Sequence, residues 1–315
     1  MPRRPDGELI KTSKFHELEF HIMPKRSESI IFYDTKIDLT NTIEFLKKYN
    51  KGREDKDKVT LFQIYLTAGV RAVTLRPKIN RFISGRRLWQ KNQIIFSFVV
   101  KKEKSEDGEE VLAMIEFDPY DTLDTVQKRV FKHIYEARHG ENPQEKNIGL
   151  FGALPRFVLK FIAWILKWTD ERNLRMYKIT KDFPFWSTAF IAHLGSLGID
   201  AVYHHTYELG TIGLFFTIGK MHKDVIVNQE TGEIEIKTVM ELRISIDDRI
   251  ASGSYTGPTM DLLKELIENP EPLINPPELT DEQLDKLKLK EYKKERLQRE
   301  KMYKKAQKIK KKREK

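Results

Sequence analysis

One stretch of the sequence, Arg243–Gly257, limits what this chain can fold into. Leu242, Ile244 and Ile246 alternate with Arg243 and Ser245, the period of a half-buried strand. The strand runs into Asp247-Asp248-Arg249, a short link, then Ser252-Gly253. A helix follows, with apolar positions at Met260, Leu262, Leu263, Leu266 and Ile267, and Asn269-Pro270 stops it. A strand that hands polar groups to a turn before a helix is a common way to build a site.

The rest of the chain alternates strands and helices in the manner of an α/β domain. Ser29–Tyr33 reads as a strand, and Thr35-Lys-Ile-Asp-Leu-Thr leads to a helix with Thr40 or Asn41 as N-cap. Thr60–Leu75 places Leu61, Ile64, Tyr65, Ala68, Ala72 and Leu75 on one helical face. Short strands are expected at 79–83 and 87–89 around Ser84-Gly85. A hairpin follows, from Ile94–Val100 to Val111–Phe117 across a charged loop, then an amphipathic helix over 122–139. Val225–Lys237 reads as a second hairpin around Thr231-Gly232. Residues 1–29 form a polar arm in which Phe15, Leu18, Phe20 and Ile22 make a short strand or helix.

Several of these segments carry a resemblance. Asp247, Arg249 and Gly253 stand in the frame Asp-His-Arg-x-x-Asp-Gly. Ile191-Ala-His-Leu-Gly-Ser-Leu-Gly-Ile-Asp200 is similar to Ile-Ser-Asn-Leu-Gly-x-x-Gly-Val-Asp, and Leu214–Lys220 to Ala-Ile-Leu-Gly-Val-Gly. Together they resemble the acyltransferase catalytic domain of 2-oxo acid dehydrogenase complexes, a relative of chloramphenicol acetyltransferase. The resemblance covers about residues 30–275. It implies a two-layer α/β sandwich, a mixed sheet with helices on one side, and a homotrimer with sites between subunits. It also implies coenzyme A or an acyl-CoA as substrate, with no metal. The lipoyl domain, subunit-binding domain and linker of the multidomain parents have no counterpart here, so a stand-alone member without a lipoyl attachment is expected.

The chemistry departs from the family. There, a histidine takes the proton of a coenzyme A or dihydrolipoamide thiol, the sulfur attacks a thioester, and a hydroxyl from the neighbouring subunit stabilises the oxyanion. By the resemblance the histidine falls on Asp248, the following aspartate on Ser252 and the hydroxyl on Ala192. An ordinary aspartic acid titrates near 3.9 and a thiol near 8.5, so the transfer to a carboxylate is uphill by about 6 kcal/mol unless burial intervenes. Asp248 is therefore either a replacement base or a loop carboxylate paired with a cation. His193 is a candidate base by type or a hydrogen-bonded structural residue. Ser187 and Thr188 read as lying on the same strand as Ala192, although a shift of four or five residues carries them well away from the missing hydroxyl; with Gly253 they are the candidate cofactor-binding positions. Gly195 and Gly198 mark a turn that needs positive φ or close backbone approach. His204-His205 could line a pocket, but adjacent strand residues point to opposite faces, which disfavours a shared metal ion.

Charge locates the remaining features. Residues 286–315 hold 16 Lys/Arg against 4 Asp/Glu, a balance of +12, so the other 285 residues sum to −2. The basic character is a tail, and a folded nucleic-acid-binding module is disfavoured. This tail, 280–315, begins with the capping box Thr280-Asp-Glu-Gln and continues as one Lys/Arg/Glu-rich helix. An apolar helical insert spans 148–170, within which Leu150–Trp168 is too interrupted to cross a bilayer. Its Arg156, Lys160 and Lys167 share one side, so it either lies in a membrane interface, docks a partner or packs on the core. The apolar helix and the tail together fit an anionic membrane surface or a partner protein. The chain holds no Cys and opens without the apolar core of a signal peptide, which fits a cytoplasmic, or peripheral membrane, location. Two functions follow: an acyltransferase acting on an acyl-CoA or acyl-thioester, or a catalytically silent trimeric scaffold that keeps the fold and binds.

Overall fold

A computed structural model describes residues 4–101, 108, 110–138, 154–174, 176–228 and 231–313, the last few as backbone. A six-stranded mixed sheet organises it, in the order β2 (Ile30–Asp38), β9 (Ile234–Asp247), β8 (Leu214–Val227), β7 (Ala189–His193), β5 (Ile94–Lys101) and β6 (Glu110–Phe117). β7 runs parallel to both its neighbours and every other pairing is antiparallel. A smaller antiparallel sheet joins β1 (Gly7–Leu9), β4 (Arg87–Lys91) and β3 (Arg81–Ser84).

Strand alternation decides which side of the large sheet meets helices. The row Phe98–Ile191–Phe216–Ile244–Tyr33 faces α2 (Thr40–Tyr49), α3 (Leu61–Leu75), α4 (Leu123–Arg138) and α7 (Gly253–Glu268), which supply Phe45, Ile64, Val126 and Leu263 to the same core. The neighbouring row Ser97–Phe190–Phe215–Ser245–Phe32 faces the other way. There Phe190, Phe215 and Ile212 form a smaller cluster with Tyr207 against it. The two-layer sandwich with helices on one side is thus the observed architecture.

Several elements differ from the sequence expectations. β2 continues to Asp38, because Thr35–Asp38 pair with Val239–Leu242 of β9. The following helix is capped by Leu39, not Thr40 or Asn41, while the Asp38 carboxylate receives the Thr40 N–H at 2.9 Å. The arm forms helix α1 (Lys14–Ile22), of which only Phe20 is buried. The insert forms helix α5 (Arg156–Glu171), followed by the single turn α6 (Tyr177–Thr180). Residues 148–153 of the expected insert lie outside the described residues. The tail is two helices, α8 (Asp281–Leu287) and α9 (Lys293–Arg313), broken at Lys288 with φ 55°. Its first half is docked: Leu287 and Leu289 join the core, and the buried Arg296 pairs with Glu8.

Candidate functional site

The turn after β9 is held from within. Asp247 is fully buried and accepts from Arg249 Nε and Nη2, both at 2.8 Å, and from the Ser29 hydroxyl at 3.0 Å. The buried Arg249 also donates to the Met23 carbonyl at 2.6 Å. Beside this pair, Arg26 donates to the carbonyls of Tyr207, Glu208, Ile83 and Gly210. Burial lowers its pKa, opposed first by the Asp247 charge. A bidentate Arg–Asp pair and a saturated second arginine thus clamp the arm, the 207–210 loop and the turn together.

The residues between and after the pair are not clamped. The Asp248 backbone N–H donates to the Ser29 carbonyl at 2.9 Å, while its side chain is exposed. Ser252 is exposed as the N-cap of α7, where its hydroxyl meets that of Ser254 at 3.1 Å. Gly253 adopts no left-handed conformation, and a Cβ there would touch nothing within 4 Å. By contrast, a Cβ on Gly195 would lie 2.2 Å from the Gly219 carbonyl, and Gly198 has φ 75°.

The other candidates are elsewhere. His193 ends β7 on the helix side, where its ring stacks on Phe62 of α3 at 5.3 Å with planes 3° apart. Burial lowers its pKa. It pairs in register with Ile218, whereas Asp247 meets Gly213, five residues earlier on the same path. At a rise of about 3.3 Å per residue the two ends of the sheet are about 16 Å apart, so His193 and Asp248 of one chain do not share a site. Ser187 and Thr188 precede β7 rather than lying in it, and both are buried. The Ser187 hydroxyl donates to the Pro184 and Ala189 carbonyls, and that of Thr188 to Asn80 Oδ1. His204 stacks on Phe215 at 3.9 Å, and among the described residues no group of three metal-ligating side chains exists.

What the turn does border is a cleft of about 560 Å³, lined by Arg249, Arg26, Lys25, Arg86, Lys167 and Arg172 together with Asp170, Glu171 and Glu208. Its acids are partly spent: Asp170 binds Arg4 at 2.9 Å, and Glu208 accepts the Arg26 and Ser27 N–H groups. Lys25, Arg86, Lys167 and Arg172 are exposed. They come from separate segments with no shared motif, so alternation and spacing gave no signal for the cleft.

Residues 211–275, which carry β8, β9, the clamped turn and α7, match the family model of the 2-oxoacid dehydrogenases acyltransferase (catalytic domain). The fold is that of this acyltransferase catalytic domain. A dihydrolipoamide acetyltransferase (E2p) of Azotobacter vinelandii, studied for a serine, a histidine and an asparagine in its catalytic mechanism, aligns with a TM-score of 0.56 at 14% identity, over 84% of this chain and 94% of that one. A probable dihydrolipoamide acetyltransferase of Listeria monocytogenes 4b F2365 aligns at 0.53 and 14%, over 83% and 94%. The cubic core of a pyruvate dehydrogenase multienzyme complex aligns at 0.51 and 13%, over 84% and 93%. No curated protein matches the chain.

Proposed function

We propose that this acyltransferase-fold protein binds an anionic acyl-thioester of the coenzyme A class in the cleft beside Arg249, and does not by itself perform the family's transfer. The observation that carries this reading is the separation of binding from chemistry at the end of β9. The cleft is of ligand size and rimmed by exposed cations, which suits a phosphorylated ligand. Yet the positions matched to the catalytic groups hold an exposed Asp248, an exposed Ser252 and Ala192, which has no hydroxyl.

An assembly of copies would fit the same reading. On the sheet face away from the helices Phe32, Val202 and Tyr203 are exposed, with the Phe32 and Tyr203 rings 5.3 Å apart. An apolar patch of this kind suits a subunit interface, and the family resemblance suggests a trimer. One observation favours residual transfer across such an interface. His193 has a lowered pKa, so its imidazole is a neutral proton acceptor near pH 7. In that case Asp248 or a neighbouring subunit's imidazole takes the thiol proton, the sulfur adds to the thioester carbonyl, and the departing thiolate regains the proton.

Calorimetric titration with coenzyme A and acetyl-CoA, followed by a thiol-release assay with dihydrolipoamide, tests both readings. Saturable binding near one ligand per chain without turnover is expected, and Arg86→Glu with Lys167→Glu should weaken the binding. Absence of binding at about millimolar ligand would overturn the thioester site. Turnover that Asp248→Asn or His193→Gln abolishes would replace silence with transfer.

A further inference from the structure

Helix α5 is a sixteen-residue helix that buries only Leu166 and Asp170. Its last turn is fixed to the body. The Asp170 carboxylate takes Arg4 at 2.9 Å, its carbonyl takes the Ser84 hydroxyl at 2.7 Å, and the Glu171 carbonyl lies where a Cβ on Gly85 would be only 2.4 Å away. The preceding turns expose a single ridge: Phe157 77%, Phe161 58%, Trp164 57% and Trp168 39%. At 100° per residue these four positions fall within about 60° of arc, and Arg156, Lys160 and Lys167 form the adjacent exposed stripe. Phe161 stacks on Trp164 at 6.0 Å, and Arg172 lies over Trp168 at 4.2 Å. Among the described residues from 156 to 181, six Lys/Arg side chains are exposed against one exposed acid, Glu171.

We infer that α5 is a docking helix for an anionic phospholipid bilayer, lying in the interface with its Phe/Trp ridge in the acyl boundary. This rests on the helix face and its charge, not on the thioester reading. Charge complementarity selects the occupant. The one-signed charge bordering the aromatics, six exposed Lys/Arg against Glu171 among the described residues from 156 to 181, matches a continuous sheet of lipid phosphates. Aromatic rings at headgroup depth, with Lys stems reaching up to lipid phosphates, are the physical pattern of an interfacial helix. No helix among the described residues is long and apolar enough to cross a membrane, so the contact is peripheral. The helix is held at its C-terminal turn, which leaves the ridge free to enter the interface without unfolding the sheet.

The test uses the full chain and co-sedimentation with phosphatidylcholine vesicles, with and without about 30% phosphatidylglycerol, at about 0.05 M and about 0.5 M salt. Binding to the anionic vesicles at low salt is expected, with a blue shift of Trp emission. Phe161→Ser with Trp164→Ser should lower the partition by about tenfold or more. Lys160→Glu with Arg156→Glu should abolish the preference for anionic lipid. All four side chains are exposed, so these variants keep the fold, checked by circular dichroism. No sedimentation would overturn the inference. So would binding that ignores both double variants and disappears on deletion of 301–315, which would make the tail the sole anchor. A ridge variant that lowers the mass measured by light scattering without lipid would also overturn it, by making the ridge a contact between copies.

Discussion

Replacing Arg249 by Met tests whether the turn after β9 is built around its buried ion pair. Arg249→Met keeps the aliphatic stem and removes the guanidinium. Asp247 would retain the Ser29 hydroxyl at 3.0 Å and the backbone N–H of residue 249 at 3.2 Å, with Arg26 Nε at 3.9 Å as its nearest remaining cation. The Met23 carbonyl, now bonded to Arg249 at 2.6 Å, would lose its donor. Removing one partner of a fully buried pair leaves an uncompensated charge and costs about 3–5 kcal/mol. Replacing both partners removes the pair's charges and leaves only Arg26, with its carbonyl acceptors, short of the Asp247 charge, so Asp247→Leu with Arg249→Met should destabilise by at least about 2 kcal/mol less than the sum of the single changes. Urea unfolding followed by circular dichroism measures both, at one fixed protomer concentration because assembly shifts the apparent stability. A loss below about 1 kcal/mol for Arg249→Met, or strict additivity of the two changes, would refute the clamp.

Three further outcomes are expected. Gly195→Ala should destabilise by about 2 kcal/mol or more through the 2.2 Å clash with the Gly219 carbonyl, whereas Gly253→Ala, in open space, should be neutral or stabilise by up to about 1 kcal/mol; thermal unfolding separates them. His193 has a pKa lowered by burial, so the unfolded chain binds a proton that the folded chain refuses. Its contribution is complete above the ordinary histidine value of about 6.5 and is lost as pH falls below it, and His193→Phe should flatten that acid limb in pH-dependent unfolding. Phe32→Glu with Tyr203→Glu should lower the assembled mass in light scattering, and an unchanged mass would remove the sheet face from the interface.

The local periodicities carried much of the fold. Leu242, Ile244 and Ile246 do face the core, and α3 spans Leu61–Leu75 as its apolar face predicts; its cap, Thr60, whose N–H the Gln63 side chain accepts at 2.6 Å, was not read. Gly69, an apparent weakness in that helix, lies where a Cβ would sit 3.1 Å from the Phe96 ring. The failures were non-local. Thr35–Asp38 is polar and reads as a linker, yet it is a strand because β9 offers it a ladder. The Ser187 and Thr188 hydroxyls read as available, but carbonyls and Asn80, the latter 108 positions away, consume them. The basic cleft was illegible for the same reason, since Lys25, Arg86, Lys167 and Arg249 meet only after the arm, the small sheet, α5 and the β9 turn have packed. The His193 side of the sheet was legible in principle, since it alternates in phase with the core residue Ile191.

The position between the clamped residues is where the frame and the proposed loss of chemistry separate. Asp247 and Arg249 serve the fold through buried bonds, whereas the exposed Asp248 serves it only through its backbone N–H. Any side chain that tolerates this turn is therefore acceptable at 248, and Asp248→His should leave stability within about 0.5 kcal/mol of the parent. It should not restore transfer alone. The imidazole would supply a base, but position 192 would still lack the hydroxyl for the oxyanion, a loss of about 10²–10³ in rate for one such donor. Adding Ala192→Ser to Asp248→His is the informative step, because the two ends of the sheet are about 16 Å apart within one chain, so under the proposed assembly a second chain would have to bring them together. Acetyl transfer from acetyl-CoA that rises in the double variant and falls when the assembly is broken by Phe32→Glu would show that the site needs two chains. Transfer by Asp248→His alone, undiminished by dissociation, would show that one chain suffices and that the cleft beside Arg249 holds the reacting thioester.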